Sequence, residues 1–315
     1  MTRQLITLTL LLSIQTATIA SDESSAPYNT PADCHLCSLL DRPQLVLSDK
    51  LLKLSDKLDI FFSKSRSYDK HNKSFASINY YIISEESKKS SSQFDTRMYI
   101  TLPRTQERLT FKFQTEADSE LDSDNPDIIP GNPNRNTNAA SLSAEAFTGK
   151  NWRFNMDIGA EYKKSYDPFF RVAYNQNIIY EQWTIYWREA AFHLAKTGNG
   201  VTSSLRFVRN YNDKYILRIS NKVTDYLDNN YTEPEHSISL SHKIDDFSAA
   251  AYAMGLFESN DPVDRVHYLQ LRYKRLIHKT WLYYEIIPEI LVTDSNNQKP
   301  IGKISLKLEY LLGNI

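Results

Sequence analysis

The sequence predicts an all-β fold: a closed up-and-down antiparallel transmembrane β-barrel of about 14, or alternatively 12, strands, preceded by one short amphipathic helix. Apolar and polar residues alternate from about Lys73 to the C-terminus, and many alternating segments reach ten or more residues. Strands of soluble sheets are mostly about 5 to 6 residues long, whereas strands that cross a bilayer need about 9 to 11. After the N-terminal segment, no apolar run approaches the ~20 residues of a membrane-spanning helix.

Composition agrees with a folded, strand-rich chain. The 315 residues include 37 Lys and Arg against 38 Asp and Glu, and the 20 Tyr and 14 Phe favour strands over helices. A nucleic-acid binder needs a basic face that displaces counterions from phosphates. The near-neutral balance therefore predicts no nucleic-acid partner.

The first 20 residues have the three parts of a secretory signal peptide. Arg3 precedes an apolar stretch from Leu5 to Ile14, and small residues lead to Ala20, after which cleavage is expected. The predicted division of the chain is therefore a signal peptide at 1–20, a periplasmic N-terminal segment at 21–72 and an outer-membrane barrel at 73–315.

Cys34 and Cys37 form a CxxC motif in the N-terminal segment. In an exported chain this motif indicates a small local disulfide or a dispensable thiol pair. Zinc needs four ligands, and only His35 accompanies the two cysteines. The chain also lacks a Walker loop, GxGxxG, HExxH and GxSxG. We therefore predict neither a metal site nor a cofactor.

An amphipathic helix is predicted over residues 42–63. Asp41-Arg42-Pro43-Gln44 supplies a cap, an early proline and a glutamine three residues after the cap. One helical stripe is then apolar: Leu47, Leu51, Leu54, Leu58 and Phe61. The stripe is expected to pack on this same chain, with a trimerising stalk as the alternative.

Fourteen candidate strands follow. The clearest are 151–162, 281–292 and the C-terminal segment around 303–312. The others are 74–84, 94–102, 107–116, 139–148, 168–178, 180–192, 200–210, 214–223, 235–243, 247–257 and 265–276. The link between the sixth and seventh, around Asn175 to Ile179, is the least clear, which leaves a count of twelve open.

The links between strands alternate in length. Gly149-Lys150, Asn212-Asp213, Asp245-Asp246 and His278-Lys279 are tight, whereas stretches such as 117–138 and 224–234 are long and polar. Short turns on one side and longer loops on the other are typical of outer-membrane barrels, with the turns in the periplasm.

The polar faces of the strands carry charges of both signs, which a barrel would direct into its lumen. The predicted lumen-lining charges are Arg97, Arg153, Asp157, Glu161, Arg218, Arg272, Lys274, Glu285, Glu289, Lys303 and Lys307. Lys112, Glu145, Arg171, Arg188, Arg206, Lys222 and Glu309 share these polar faces. A soluble exported β-domain, whose apolar faces pack on one another, is the alternative.

Aromatic residues near strand ends indicate the two interfacial girdles of a membrane barrel. The residues assigned to these girdles are Tyr99, Trp152, Tyr162, Phe169, Trp187, Tyr215 and Trp281.

The closing segment IGKISLKLEYLL resembles the C-terminal signal strand of bacterial outer-membrane barrels, although the chain ends GNI and not on an aromatic residue. LDIFFSKSRSYD (58–69), RMYITLPRTQERLTFKF (97–113) and WLYYEIIPEI (281–290) are similar to segments of uncharacterised exported proteins of Gram-negative bacteria. The resemblance implies a porin-like barrel, outer-membrane lipid around it, and recognition of its last strand by the outer-membrane assembly machinery. It implies no established activity.

Three functions are consistent with these patterns. The first is a porin or channel whose mixed-charge lumen passes small polar solutes, partly blocked by its own side chains or by the helix of 42–63. The second is a structural or anchoring barrel that binds a partner through its loops or its periplasmic segment. The third is an outer-membrane hydrolase.

Catalysis has little support in the sequence, and we predict no enzyme. No histidine is followed two residues later by the serine that a phospholipase-type barrel needs. Asp122-Ser123-Asp124 and Asp69-Lys70-His71 have protease-like spacing but are expected at opposite mouths of the barrel. The acidic stretch 116–127 is expected to be a solvated loop, with a calcium site as the alternative.

Overall fold

The computed structural model describes residues 37–62, 74–86, 88–102, 108–115, 138–162, 164–212, 214–260 and 263–313. Several predictions therefore lie outside the described residues: the signal peptide, the pairing of Cys34 with Cys37, the protease-like residues at 69–71 and 122–124, and the acidic stretch 116–127.

Fourteen strands form one closed barrel. Each strand pairs antiparallel with its neighbours in the chain, and the first strand pairs with the last. The strands are β1 Phe75–Glu85, β2 Ser91–Leu102, β3 Leu109–Gln114, β4 Asn138–Thr148, β5 Trp152–Tyr162, β6 Tyr166–Tyr180, β7 Trp183–Leu194, β8 Gly198–Tyr211, β9 Tyr215–Tyr226, β10 Tyr231–Lys243, β11 Ser248–Asn260, β12 Val263–His278, β13 Leu282–Thr293 and β14 Pro300–Gly313. The predicted barrel of fourteen strands is confirmed, and the alternative of twelve is wrong.

The two faces of the sheet differ in polarity. On β14, Leu306 and Leu308 are 45% and 42% exposed, whereas Lys307 between them is buried among acidic residues of the neighbouring wall. The apolar face therefore points outward and the charged face inward. The alternative of a soluble domain, which would place the apolar face inside, is wrong. An exposed apolar belt around a closed sheet is the arrangement that a bilayer requires.

The connections define two rims. The lower rim carries the links at 103–108, 149–151, 181–182, 212–214, 244–247 and 279–281, and the upper rim carries those at 86–90, 115–137, 163–165, 195–197, 227–230, 261–262 and 294–299. Most upper links are as short as the lower ones, so the expected contrast in loop length is largely wrong. The strands continue past the apolar belt with polar residues such as Thr232 and Glu233, which the sequence pattern assigned to a loop.

Outward-facing aromatic residues cluster near the lower rim, as a girdle requires. They are Phe147, Trp152, Tyr180, Trp183, Tyr211 and Tyr215, and Trp281 lies in the last turn of the same rim. Two expected girdle residues face the lumen instead, because Tyr99 and Phe169 share their strand faces with Arg97 and Arg171.

The ring of Phe169 covers a glycine on the next strand. Gly159 is the register partner of Phe169, and a Cβ at Gly159 would collide with the carbonyl oxygen of Ala140 and with the Phe169 ring. Gly200 and Phe192 repeat this arrangement on β8 and β7. These glycines let large inward rings lie flat against the wall.

The helix α1, Asp41–Phe62, confirms the predicted helix to within a residue at each end, and a short 3-10 turn at Cys37–Leu40 precedes it. No helix in the described part of the chain is long and apolar enough to span a membrane. The helix packs on this same chain, against β14, β2 and β1.

The helix lies on the outer surface of the barrel, so the prediction that this helix partly blocks the lumen is wrong. Leu51 packs with Ala76, Ile100, Leu102 and Leu312, all on the outward face near the lower rim. Ile100 is 0% exposed, in contrast to uncovered outward residues of the same belt. The surface that receives α1 is therefore part of the outer apolar belt.

The buried face of α1 differs from the predicted stripe. Gln44, Ser48 and Leu51 are buried, whereas Leu47 and Leu54 remain 40% and 42% exposed. The backbone N–H of Gly313 donates to Ser48 Oγ over 3.0 Å. The helix therefore binds the end of the last strand through a polar position as well as through leucine.

Asp41 ties the start of α1 to the turn between β12 and β13. Its carboxylate lies 2.9 Å from His278 Nε2 and 2.8 Å from Lys279 Nζ. Hydrogen bonds from Lys279 and His278 hold the pKa of Asp41 below its usual value of 3.8. The tyrosine hydroxyl of Tyr310 donates to the Leu40 carbonyl over 3.3 Å. Helix α1 thus bridges the seam at which the barrel closes.

Candidate functional site

The inner wall of the barrel is the candidate functional site. The structure places every predicted lumen-lining charge on this wall: Arg97, Arg153, Asp157, Glu161, Arg218, Arg272, Lys274, Glu285, Glu289, Lys303 and Lys307. The strand registers bring them together in separate groups around the circumference.

The first group lies on β12, β13 and β14, with Glu285 at its centre. Arg272 Nε lies 2.6 Å from Glu285 Oε1, and Lys307 Nζ lies 3.5 Å from Glu285 Oε2. The side chain of Glu285 is only 3% exposed. One carboxylate thus compensates cations from both adjacent strands.

Glu309 extends this group toward the lower rim. Its Oε2 lies 2.6 Å from Lys274 Nζ and 3.6 Å from Lys307 Nζ. The ammonium of Lys274 also lies 4.5 Å from the centre of the Tyr283 ring, a cation–π contact. The predicted residues Lys274 and Lys307 therefore share Glu309, which the sequence placed on the same polar face.

Toward the upper rim, Glu289 and Lys303 face each other across β13 and β14. Their charged atoms are 3.9 Å apart, and the amide of Gln270 donates to Glu289 Oε2 over 2.8 Å. At 3.9 Å the ion pair is too long for a hydrogen bond, so the short hydrogen bond to Glu289 comes from Gln270.

A second group occupies β2 to β6. Arg97 lies 3.5 Å from Asp95, and Asp95 also accepts a hydrogen bond of 3.1 Å from Asn79. Farther around the wall, Lys112 lies 3.9 Å from Asp157. Charges of opposite sign therefore alternate across this wall too.

The predicted residue Glu161 is paired in the same part of the wall. Its carboxylate lies 3.7 Å from Arg171, whose guanidinium is also 5.0 Å from the centre of the Phe169 ring. Arg153 lies on the same inner face of β5, closer to the lower rim, beside Asn175 in the register.

The wall formed by β7, β8 and β9 has a different composition. Its inward charges are Arg188, Arg206, Arg218 and Lys222, and no acidic residue lies on the inward faces of these described strands. Arg188 donates to Asn175 Oδ1 over 3.1 Å, Arg218 donates to Ser241 over 3.3 Å, and Lys222 lies 3.4 Å from Glu235 on β10. We call this surface the cationic wall.

Arg218 was among the lumen-lining charges singled out from the sequence, and Arg188, Arg206 and Lys222 were predicted on the same inward polar faces. The alternation that places Arg188, Arg206 and Lys222 on polar strand faces is present in the sequence. What the sequence lacks is the strand register, which alone shows that these four cations are neighbours.

The described residues give no support to a catalytic or metal centre. They contain no group of three or more His, Cys, Asp or Glu side chains that could hold a metal ion. The ring of His236 contacts Asn221 and that of His193 contacts Asn199, with no serine nucleophile at either. The absence of enzymatic activity stays a prediction.

Comparisons with known proteins give only resemblances of shape. No family model matches the chain, and no curated protein matches its sequence. OccK10 (OpdN) of Pseudomonas aeruginosa is 8% identical, with a TM-score of 0.45 over 77% of this chain and 99% of that one. A refined porin structure is 9% identical, with a TM-score of 0.43 over 76% of this chain and 100% of that one. For the outer membrane channel DcaP of Acinetobacter baumannii the identity is 9% and the TM-score 0.42, over 76% and 96%.

Proposed function

We propose that the protein is an outer-membrane channel of the porin type through which small polar solutes cross. The observation that carries the proposal is the segregation of residues by face, since ion-paired side chains line the inside of a closed sheet whose outside is apolar. A lumen lined by such groups can replace part of the hydration of a polar solute, which the surrounding hydrocarbon cannot do.

The size of the barrel supports a conducting lumen. Eight-stranded barrels are filled by their own side chains, whereas barrels of about 16 to 18 strands leave an aqueous channel. Fourteen strands are closer to the second class. The part of α1 whose side chains are described, 41–54, lies outside the barrel and takes up none of the lumen.

The cationic wall gives the proposed channel a preference for anions. On β12 to β14 and on β2 to β6 most inward cations lie within 4 Å of an acid, so the fields of these paired groups largely cancel beyond a few ångströms. These cations are Arg97, Lys112, Arg171, Arg272, Lys274, Lys303 and Lys307. The inward faces of β7 to β9 carry four cations and no acid among the described residues. Glu235 of the neighbouring strand β10 compensates Lys222, but cations still outnumber acids in this sector, so it keeps a net positive charge.

The placement in the cell completes the proposal. The leader of residues 1–20 would direct export, the lower rim would face the periplasm, and the last strand would be recognised by the assembly machinery. Outer-membrane lipid would surround the apolar belt. A structural or anchoring barrel is the competing function, and it predicts no current.

The test is conductance of the purified full-length mature chain in planar bilayers with a salt gradient. We expect a lasting current whose reversal potential shows anion preference, and Arg188→Gln with Arg206→Gln lowers that preference. The matched control is Arg209→Gln, which removes an outward-facing arginine from the same strand β8 as Arg206 and leaves the preference unchanged. Silence of correctly folded protein would favour the anchoring function.

A further inference from the structure

A band of polar side chains crosses the outward face of β7 to β10. Its members are Glu189, Ser203, Asn221 and His236, one on each strand in turn. The outward residues at comparable positions on β12, β13 and β14 are Leu271, Ile286 and Leu306. We call the four residues the outer polar band.

The outer polar band lies near mid-height of the apolar belt. Glu189 is six residues up its strand from Trp183 of the lower girdle, and Asn221 is six residues up from Tyr215. His236 is six residues up from His242, whose ring stacks on Tyr215 with 4.5 Å between ring centres. Six residues of a tilted strand rise by about 15 Å, which is near the middle of a belt about 25 Å tall.

Glu189 and His236, the residues at the two ends of the band, each use only one of their two polar side-chain atoms in hydrogen bonds. Glu189 Oε1 accepts hydrogen bonds from Ser203 Oγ and from Trp187 Nε1, both at 2.7 Å. The His236 Nδ1 nitrogen lies 2.9 Å from Asn221 Oδ1, which an N–H on Nδ1 satisfies. Among the described residues, neither Glu189 Oε2 nor His236 Nε2 has a hydrogen-bond partner.

A carboxylate and an imidazole with unused polar atoms are costly against hydrocarbon, so a polar partner at the same depth is needed. A two-fold axis along the membrane normal between β8 and β9 supplies one. It sets β7 of one copy against β10 of the next, and rotation about the normal preserves depth. Glu189 then lies opposite the partner's His236, and the contact occurs twice.

We propose that the outer polar band is the centre of a symmetric dimer interface between two copies of this chain. In each of the two symmetric contacts, the Nε2–H of His236 donates a hydrogen bond to Oε2 of the partner's Glu189. Val201, Leu205, Val223, Ile238 and Leu240 are exposed around the band and provide apolar contact area. The band contains both halves of the required pair, which favours a second copy over a different protein.

The inference goes beyond channel activity, but it rests on the outer face lying in lipid. Extraction of the protein from membranes without detergent would contradict the membrane location itself. A detergent-dependent protein that stays monomeric would contradict the dimer alone.

The test exchanges the two interacting residues. Sedimentation of the mature full-length chain in detergent micelles is expected to show a dimer. Glu189→His or His236→Glu places like groups opposite each other and raises the dissociation constant at least tenfold, and the double exchange restores the dimer. Leu271→His, which adds an imidazole on the far strand β12, is the control and leaves the dimer intact. Migration on unheated gels checks that each variant is folded.

A second measurement decides the matter if an exchange variant does not fold. Leu205 lies on β8 beside the proposed axis, so Leu205→Cys in a Cys34→Ser, Cys37→Ser background is expected to form a disulfide-linked dimer in membranes. Leu271→Cys in the same background stays uncrosslinked. A monomeric wild type, a dimer indifferent to the exchanges, or equal crosslinking at both cysteines would each overturn the proposal.

Discussion

Glu285→Gln tests whether the ion pairs of the inner wall stabilise the barrel. The change keeps the shape of the side chain but removes the negative charge between Arg272 and Lys307. At an effective dielectric constant of about 20, pairs at 2.6 and 3.5 Å have gross attractions of about 6 and about 5 kcal/mol. Desolvation of the ions offsets most of this, but breaking a buried pair still costs about 3 kcal/mol, since two cations are left facing each other.

The measurement is urea unfolding of the barrel in lipid or detergent, followed by tryptophan fluorescence. The matched control is Glu258→Gln, which removes a carboxylate 2.7 Å from Arg265. Those two side chains are 28% and 53% exposed, so the expected loss is only about 0.5 kcal/mol. If the two variants lose equal stability, water screens the ion pairs of the inner wall so strongly that they do not stabilise the barrel, which would refute the reasoning.

Three further changes probe other features of the barrel. Leu51→Ala should weaken docking of α1 by about 2 to 3 kcal/mol, because it leaves a cavity between the helix and the side chains of Ile100 and Leu312. The control is Leu54→Ala, which should cost much less because Leu54 is already half-exposed. The protease sensitivity of residues 41–54 measures both effects, and equal sensitivity of the two variants would contradict docking on the outside of the barrel. Since the pKa of Asp41 is lower in the folded protein than its usual value of 3.8, its contribution is complete above that pH and is lost as the pH falls through the lowered value. A spin label at Leu45→Cys, in a background without Cys34 and Cys37, should gain mobility over this interval, and Asp41→Asn should remove the pH step. Gly159→Ala should lower stability by about 1 to 3 kcal/mol in thermal unfolding, because the new methyl group meets the Ala140 carbonyl oxygen and the Phe169 ring; an unchanged midpoint would mean that the strands can separate locally.

The alternation of side chains was enough to predict the barrel, its strand count and the inward charges. The alternation pattern did not locate the turn between β6 and β7. There the backbone of Glu181 has a φ of 52°, which residues other than glycine and asparagine seldom adopt. No glycine or asparagine marks residues 181–182, so the link was placed near Asn175 to Ile179, inside β6. Local composition carries no signal for a strained turn that the surrounding strand pairs impose.

Features set by register were beyond the sequence. The cationic wall and the outer polar band each combine residues from three or four strands that are adjacent only after every hydrogen-bonded pair is fixed. The sequence also could not predict whether α1 packs inside or outside the barrel. An amphipathic stripe shows that a helix packs, but not against which surface.

The docking of α1 also has a consequence for biogenesis. Its receiving surface combines the first two strands with the last, and Ser48 contacts Gly313 near the far end of the chain. That surface does not exist until the sheet has joined its two edges, so the helix, although made before every strand, can be seated only after all of them. A probe on α1 would therefore report the completion of barrel assembly.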